Sequence, residues 1–155
     1  IMVGYRYYNT YEKPTAYPFG FGLSYTNFEY SDLSLSASSF SEHLTVEVTV
    51  KNTGEYRGKE VVQLYLTAPG KSMEKPALEL KAFGKTKTLK PGETEKLTFV
   101  LTAKDLASFA TENAAWMIEP GVYEVKMGAS STDIRLRKTF TVDNEILVEK
   151  VNGVL

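Results

Sequence analysis

The side chains that could carry acid/base chemistry in this chain are carboxylates and a single histidine. General acid/base catalysis by carboxyl groups requires two of them held several ångströms apart in one cleft. The acidic residues instead occupy outward-facing positions of alternating segments, as Glu47 and Glu124 do, or turns, as Glu93 and Asp105 do. Solvated strand faces and turn caps account for them, so the sequence predicts no catalytic pair.

His43 is the only histidine, and it lies in the polar segment 41–43. A transition-metal site needs several ligands at matched spacing. A Ser-His-Asp arrangement would need a nucleophile, and no Gly-x-Ser-x-Gly motif supplies one. Residues 20–22 (Gly-Phe-Gly) are followed by neither a Lys-Ser/Thr pair nor a helix, which excludes a phosphate loop. We therefore interpret His43 as a surface residue.

Loop carboxylates around Asp32, Asp133 and residues 143–145 could bind a hard cation through oxygen ligands. No spacing pattern of a calcium loop joins them, however. The chain also has no cysteine, which excludes disulfides, thiol catalysis and thiolate metal sites. The sequence therefore predicts no metal and no cofactor.

Composition and charge bound the class of protein. A chain of 155 residues suits one domain with a sizeable core, and 43% hydrophobic and 24% charged residues are ordinary globular values. The net charge of -1 gives no electrostatic case for nucleic acid or an anionic membrane. No apolar run approaches the length of a membrane span. Because the chain begins at Ile1 without a signal-peptide pattern, we expect a fragment of a longer protein.

Apolar and polar residues alternate from residue 28 onward, which is typical of strands with one buried and one wet face. Turn motifs such as Asn52–Gly54, Pro91–Glu93 and Glu119–Gly121 separate the alternating runs. About seven or eight short strands at this spacing predict an all-β fold, an antiparallel sandwich of immunoglobulin or fibronectin type III-like kind. The absence of the Cys-Trp-Cys signature favours the fibronectin-like variant.

The clearest alternating runs are residues 44–50, 62–66, 97–101, 123–127 and 134–142, with weaker ones at 28–40 and 78–89. Only residues 103–110 look helical, for one or two turns at most, with Thr102 or Asp105 as the cap. We expect Trp116, the only tryptophan, to fill the core or a sheet edge.

Aromatic residues are concentrated at the start of the chain, where the first thirty positions hold ten of the nineteen. Many flank the run Tyr17–Thr26, in which Pro18 keeps its predecessor extended while Gly20 and Gly22 permit a tight path. Three interpretations stay open: the rings cap one end of the sandwich, they bury against a neighbouring domain, or they stack on sugar rings. The predicted interdomain docking residues are Tyr5, Tyr7, Tyr8, Tyr17, Phe19, Phe21 and Tyr25.

These patterns divide the chain into three parts. Residues 1–27, which we call the leader, form a linker or docking segment. Residues 28–142 form the sandwich, and residues 143–155 form a tail that is either a final edge strand or a short helix.

The motifs together resemble a known family. The segments Gly4–Tyr8 and Tyr17–Phe28 are similar to the connection between the catalytic part of family 3 glycoside hydrolases and their C-terminal fibronectin type III-like domain. The resemblance covers nearly the whole chain. It continues in order through Asn52–Gly54, Gly58–Tyr65, Glu79–Phe83, Leu89–Thr94, Glu119–Gly121 and Gly128–Ser131.

The resemblance implies a non-catalytic module of a β-glucosidase-like or β-xylosidase-like enzyme. In that family the nucleophilic Asp lies on a barrel domain and the acid/base usually comes from the following α/β domain, so no catalytic residue can be assigned to this chain. The module would pack on the catalytic domains of a periplasmic or secreted enzyme that hydrolyses terminal β-linked glucose or xylose.

Two other classes of function compete with this interpretation. The chain could be a carbohydrate-binding module that stacks polysaccharide on exposed tyrosines, or an enzyme in its own right. Exposed aromatic side chains also predict self-association of the fragment.

Overall fold

Two antiparallel sheets face each other in the computed structural model, which describes residues 2–151. The strands within that range are β1 (Phe28–Leu35), β2 (His43–Asn52), β3 (Val61–Thr67), β4 (Glu79–Lys85), β5 (Thr94–Thr102), β6 (Ser108–Ala110), β7 (Ala115–Ile118), β8 (Gly121–Gly128), β9 (Ile134–Val142) and β10 (Ile146–Lys150). The same range contains two short helices, α1 (Tyr5–Thr10) before β1 and α2 (Ala103–Leu106) after β5.

One sheet has the strand order β1-β2-β5 and the other has the order β4-β3-β8-β9. A small third sheet, β10-β7-β6, which we call the side sheet, completes the fold. Two packed antiparallel sheets of three and four strands form a β-sandwich. The predicted all-β sandwich is therefore confirmed.

The core lies between the two main sheets and follows from the alternation in sequence. In β2, Leu44 and every second residue after it are fully buried, and the inward side of β8 does the same from Tyr123 to Met127. Removing one such aliphatic side chain from water stabilises the fold by about 1.5–3 kcal/mol.

Strand β3 is buried on both faces, unlike β2. Val62, Leu64 and Leu66 point into the core, while Gln63 and Tyr65 are buried on the outer face of the sheet. An outer face of a two-layer sandwich would normally meet solvent. Something must therefore cover β3 from outside, and the leader does so.

A tyrosine corner closes the turn between β7 and β8. The phenol of Tyr123 donates a hydrogen bond to the backbone carbonyl of Glu119 across 2.9 Å. Burial raises the pKa of Tyr123 to about 12. This arrangement is a hallmark of immunoglobulin-like sandwiches and fixes the chain where it enters a central strand.

Two local predictions need correction, and one helix was not predicted. The predicted helix over 103–110 ends at Leu106, where Ala107 turns extended, and the rest forms β6. Helix α1 was not predicted, because its sequence has no apolar periodicity. Trp116 lies neither in the core nor at an edge: it is on the middle strand of the side sheet and is 41% exposed.

The tail forms a strand, since β10 pairs with β7. Residues 152–155, the remainder of the predicted tail, lie outside the described residues. Across residues 2–151, neither helix is long and apolar enough to cross a bilayer.

Candidate docking surface

The leader is attached to the outer face of the four-stranded sheet by hydrogen bonds. The side-chain amide of Gln63 donates to the carbonyl of Gly20 at 3.0 Å, and the backbone N–H of Ser131 donates to the carbonyl of Phe19 at 2.8 Å. These bonds reach both β3 and the turn between β8 and β9. The middle of the leader is thus part of the fold.

Polar contacts along helix α1 fix it to the same side of the domain. Arg6 forms an ion pair with Glu79 of β4 at 2.5 Å. The Thr10 hydroxyl accepts the backbone N–H of Ala77 at 2.9 Å, and the Asn9 side-chain amide donates to the carbonyl of Ser131 at 3.0 Å. Because an isolated helix of six residues is not stable in water, these tertiary contacts account for its formation.

An aromatic stack covers β3. The rings of Tyr5 and Phe19 lie parallel, with centroids 4.2 Å apart, and Tyr5 meets Tyr65 edge-on at 6.3 Å. The Tyr5 hydroxyl also accepts the backbone N–H of Leu80 at 2.8 Å. Burial raises the pKa of the Tyr65 phenol above its ordinary value. Tyr5 and Phe19 thus belong to the cover of this domain's own sheet.

The rest of the leader presents apolar side chains to solvent. Leu23 is 92% exposed and Tyr25 is 97% exposed. Tyr17 and Phe21 lie against each other with centroids 5.6 Å apart, and both stay exposed. We call these four residues the uncovered leader residues.

Sequence reasoning missed two apolar side chains that are also exposed to solvent, Leu23 and Phe83. Leu23 lies inside the aromatic run but is not aromatic, so it escaped notice. Phe83 on β4 is 70% exposed and pairs with Gln63 across the outer face. The sequence does offer a way to find Phe83. This residue continues the alternating series Glu79 and Lys81, at a position that would ordinarily hold a polar residue.

A cleft of about 700 Å³ separates the run Pro18–Asn27 from the end of the sheet. Its lining carries Glu60, Asp133 and Arg135. The Arg135 guanidinium pairs with Asp133 at 2.9 Å, donates to the Phe28 carbonyl at 2.8 Å and lies 4.6 Å from the centre of the Tyr30 ring.

The carboxylates of this cleft are occupied by internal contacts. The Tyr30 phenol donates to Glu60 at 3.0 Å. Burial raises the pKa of Glu60, an effect that the Tyr30 hydrogen bond and the Arg135 charge oppose. With Asp133 held by Arg135, both carboxylates of the cleft lining are paired within the cleft.

Comparison with known proteins decides the family. The fibronectin type III-like domain model matches residues 60–131. Thermostable beta-glucosidase B of Acetivibrio thermocellus is 41% identical over 152 residues, which are 97% of this chain and 20% of that protein. The chain carries the fibronectin type III-like domain of family 3 glycoside hydrolases.

Solved structures agree with this assignment. Beta-glucosidase 3B of Thermotoga neapolitana, in complex with glucose, matches 96% of this chain with a TM-score of 0.90 and 49% identity. A GH3 beta-glucosidase of Bifidobacterium adolescentis matches 92% of it with a TM-score of 0.85 and 41% identity. The chain spans 20% and 21% of those two chains, about a fifth of each.

The fibronectin type III-like domain does not gather all predicted docking residues on one surface. Tyr5 is half-buried under Phe19, and Tyr7 and Tyr8 lie on α1 with their rings perpendicular. The predicted residues that are exposed are Tyr7, Tyr8, Tyr17, Phe19, Phe21 and Tyr25.

The candidate metal ligands of the domain are also dispersed. Among residues 2–151 no group of three or more His, Cys, Asp or Glu side chains could hold a metal ion. Asp143 accepts hydrogen bonds from Ser39 at 2.8 Å and Thr141 at 3.1 Å, and His43 is exposed at the start of β2.

Proposed function

We propose that this domain is a non-catalytic module that packs on and stabilises the catalytic domains of a longer family 3 glycoside hydrolase. That enzyme would hydrolyse terminal β-linked glucose or xylose. The observation that carries the proposal is the pair Leu23 and Tyr25, almost fully exposed on a segment that is otherwise fixed to the sheet.

Fixation of the leader favours docking energetically. Association normally costs the ordering of loops and side chains at the interface. Here the Gly20 and Phe19 carbonyls already hold the backbone beside the uncovered leader residues. Burial of Leu23 alone by a neighbouring domain would contribute about 1.5–3 kcal/mol, and interfaces between domains commonly bury about 600–1,500 Å².

The leader's tyrosines are poorly arranged for the alternative, a module that stacks polysaccharide on them. Sugar stacking favours coplanar exposed rings beside fixed polar groups. Tyr7 and Tyr8 instead meet at 90°, and Tyr7 and Tyr11 at 50°. This geometry favours docking over sugar binding for the leader.

The remaining parts of the proposal follow from the same assignment. We assign residues 1–27 to docking, 28–142 to the sandwich and 143–155 to a tail. Catalysis would belong to other domains, and the enzyme would work in the periplasm or outside the cell. Without those domains, the uncovered leader residues would favour self-association of the chain.

The decisive experiment compares one double variant in two contexts. Leu23→Ser with Tyr25→Ser should change the stability of the 155-residue chain alone by no more than a surface substitution does, within about 0.5 kcal/mol. In the longer enzyme the same pair should lower the melting temperature by several degrees. Val100→Ser, an exposed apolar site on β5 in the other sheet, is the matched control. Equal effects in both contexts would contradict docking.

A further inference from the structure

The side sheet aligns three side chains on one face. Phe109 of β6 and Glu149 of β10 are each directly opposite Trp116 of β7, and directly opposite residues share a face. The Phe109 and Trp116 rings meet edge-to-face with centroids 5.5 Å apart. Ala115, the residue before Trp116 on β7, faces the other way and is buried.

A groove of about 220 Å³ lies beside the indole. It is lined by Trp116, Ala107, Val148, Lys104 and Glu149. Its wall is therefore apolar and aromatic, with one ammonium group from α2 and one carboxylate from β10. Neither Lys104 nor Glu149 forms an ion pair with another of the described residues.

We propose that this groove binds a pyranose ring of a β-linked gluco-oligosaccharide. The C–H face of a pyranose is apolar and fits an indole, whereas its hydroxyl rim needs donors and acceptors. Glu149 can accept from hydroxyl groups and Lys104 can donate to them. A wall with one charge of each sign gives no net attraction to a singly charged ligand and suits a neutral polyhydroxylated one.

The choice of glucose units, and nothing else in this inference, rests on the proposed function. The groove itself is remote from the uncovered leader residues. Strand β8 begins at Gly121, next to the side sheet, and ends at Gly128, beside the turn that binds Phe19. Eight residues of strand extend about 25 Å. The groove and the uncovered leader residues therefore lie toward opposite ends of β8.

The chain offers a direct probe, because Trp116 is its only tryptophan. Titration of the 155-residue chain with cellotriose should produce a saturable change in tryptophan emission. The Glu149→Gln variant, which keeps the fluorophore, should bind roughly tenfold more weakly, as expected for loss of one charge-assisted hydrogen bond. The Leu23→Ser/Tyr25→Ser variant should bind as the parent chain does.

A second measurement guards against indirect effects. In calorimetry, Trp116→Ala should abolish the heat of cellotriose binding while the circular dichroism spectrum stays that of a β-sandwich. No saturable emission change with cellotriose would overturn the proposal, as would unaltered binding by Glu149→Gln. An emission change that depends on protein concentration without sugar, and that persists in the Leu23→Ser/Tyr25→Ser variant, would assign the groove to a second copy instead. None of these outcomes bears on docking, which the stability comparison tests separately.

Discussion

The side-chain amide of Gln63 donates to the carbonyl oxygen of Gly20 at 3.0 Å and so joins a central strand to the leader. The same nitrogen donates to the Ala129 carbonyl at 2.8 Å, and the Gln63 oxygen accepts the Tyr65 phenol at 2.5 Å. One buried side chain therefore connects β3, the β8–β9 turn and the leader. This connection gives the first prediction.

Gly20→Ala should detach the leader. Gly20 has φ +80°, and a Cβ there would lie 2.0 Å from the Gln63 side-chain oxygen. We expect a loss of about 1–3 kcal/mol in the free energy of unfolding, measured by urea denaturation. Gly22→Ala is the control, because a Cβ at Gly22 meets nothing within 4 Å. Equal stability of the two variants would show that the leader is not fixed as described.

Tyr123→Phe should destabilise the sandwich by removing the tyrosine corner. The substitution keeps the ring in the core but leaves the buried Glu119 carbonyl without its phenol donor. The expected cost is about 1–2 kcal/mol in the free energy of unfolding. Tyr25→Phe, at an exposed phenol, should cost almost nothing. A Tyr123→Phe chain as stable as that control would contradict a stabilising role for the corner.

Glu119 should make stability depend on acid pH. Burial opposes its ionisation, but hydrogen bonds from Lys75 and from the Ser72 hydroxyl and N–H outweigh burial and hold its pKa below the ordinary value. A carboxyl whose pKa is lower in the folded than in the unfolded state stabilises the fold above the unfolded pKa, about 4.3. That contribution is lost as the pH falls through the folded pKa.

The measurement is the free energy of unfolding as a function of pH in the parent chain and in Glu119→Gln. The variant should be less stable at neutral pH and should lose less stability between about pH 5 and 3. Glu29→Gln, at an exposed glutamate on β1, controls for loss of one negative charge. Parallel pH profiles for the parent chain and Glu119→Gln would show that Glu119 is not the source of the pH dependence.

Arg135→Lys should loosen the cleft wall. A lysine cannot at once pair with Asp133 in two places, donate to the Phe28 carbonyl and stack on Tyr30. We expect a cost of about 1–2 kcal/mol by urea denaturation. The neighbouring Arg137→Lys, at a more exposed site on β9, should be almost neutral. If Arg137→Lys lowered the free energy of unfolding more than Arg135→Lys did, the contacts of Arg135 would not have the stabilising role assigned to them.

The sandwich strands were predictable from sequence because one buried face imposes a period of two, as in Leu44 to Val50. Helix α1 was not, because its residues Tyr5–Thr10 carry no apolar period and the helix depends on Arg6, Asn9 and Thr10 reaching distant partners. Such contacts are absent from any local pattern.

The candidate sites show the same division. An aromatic run could be recognised as unusual, but nothing local separates Phe19, which stacks on Tyr5 over the sheet, from Tyr25, which is almost fully exposed. Trp116 was misassigned because an indole in an apolar segment usually belongs to the core. Only the pairing of β7 between β6 and β10 places it on an outer face.

The attachment of the leader also has a mechanical consequence. A pull on residues 17–26 is transmitted through Gly20 and Phe19 to β3 and the β8–β9 turn, and through Phe28 to β1. Detaching the leader would expose Tyr65 and the Gln63 amide to water. A partner that holds the leader is therefore mechanically connected to both main sheets.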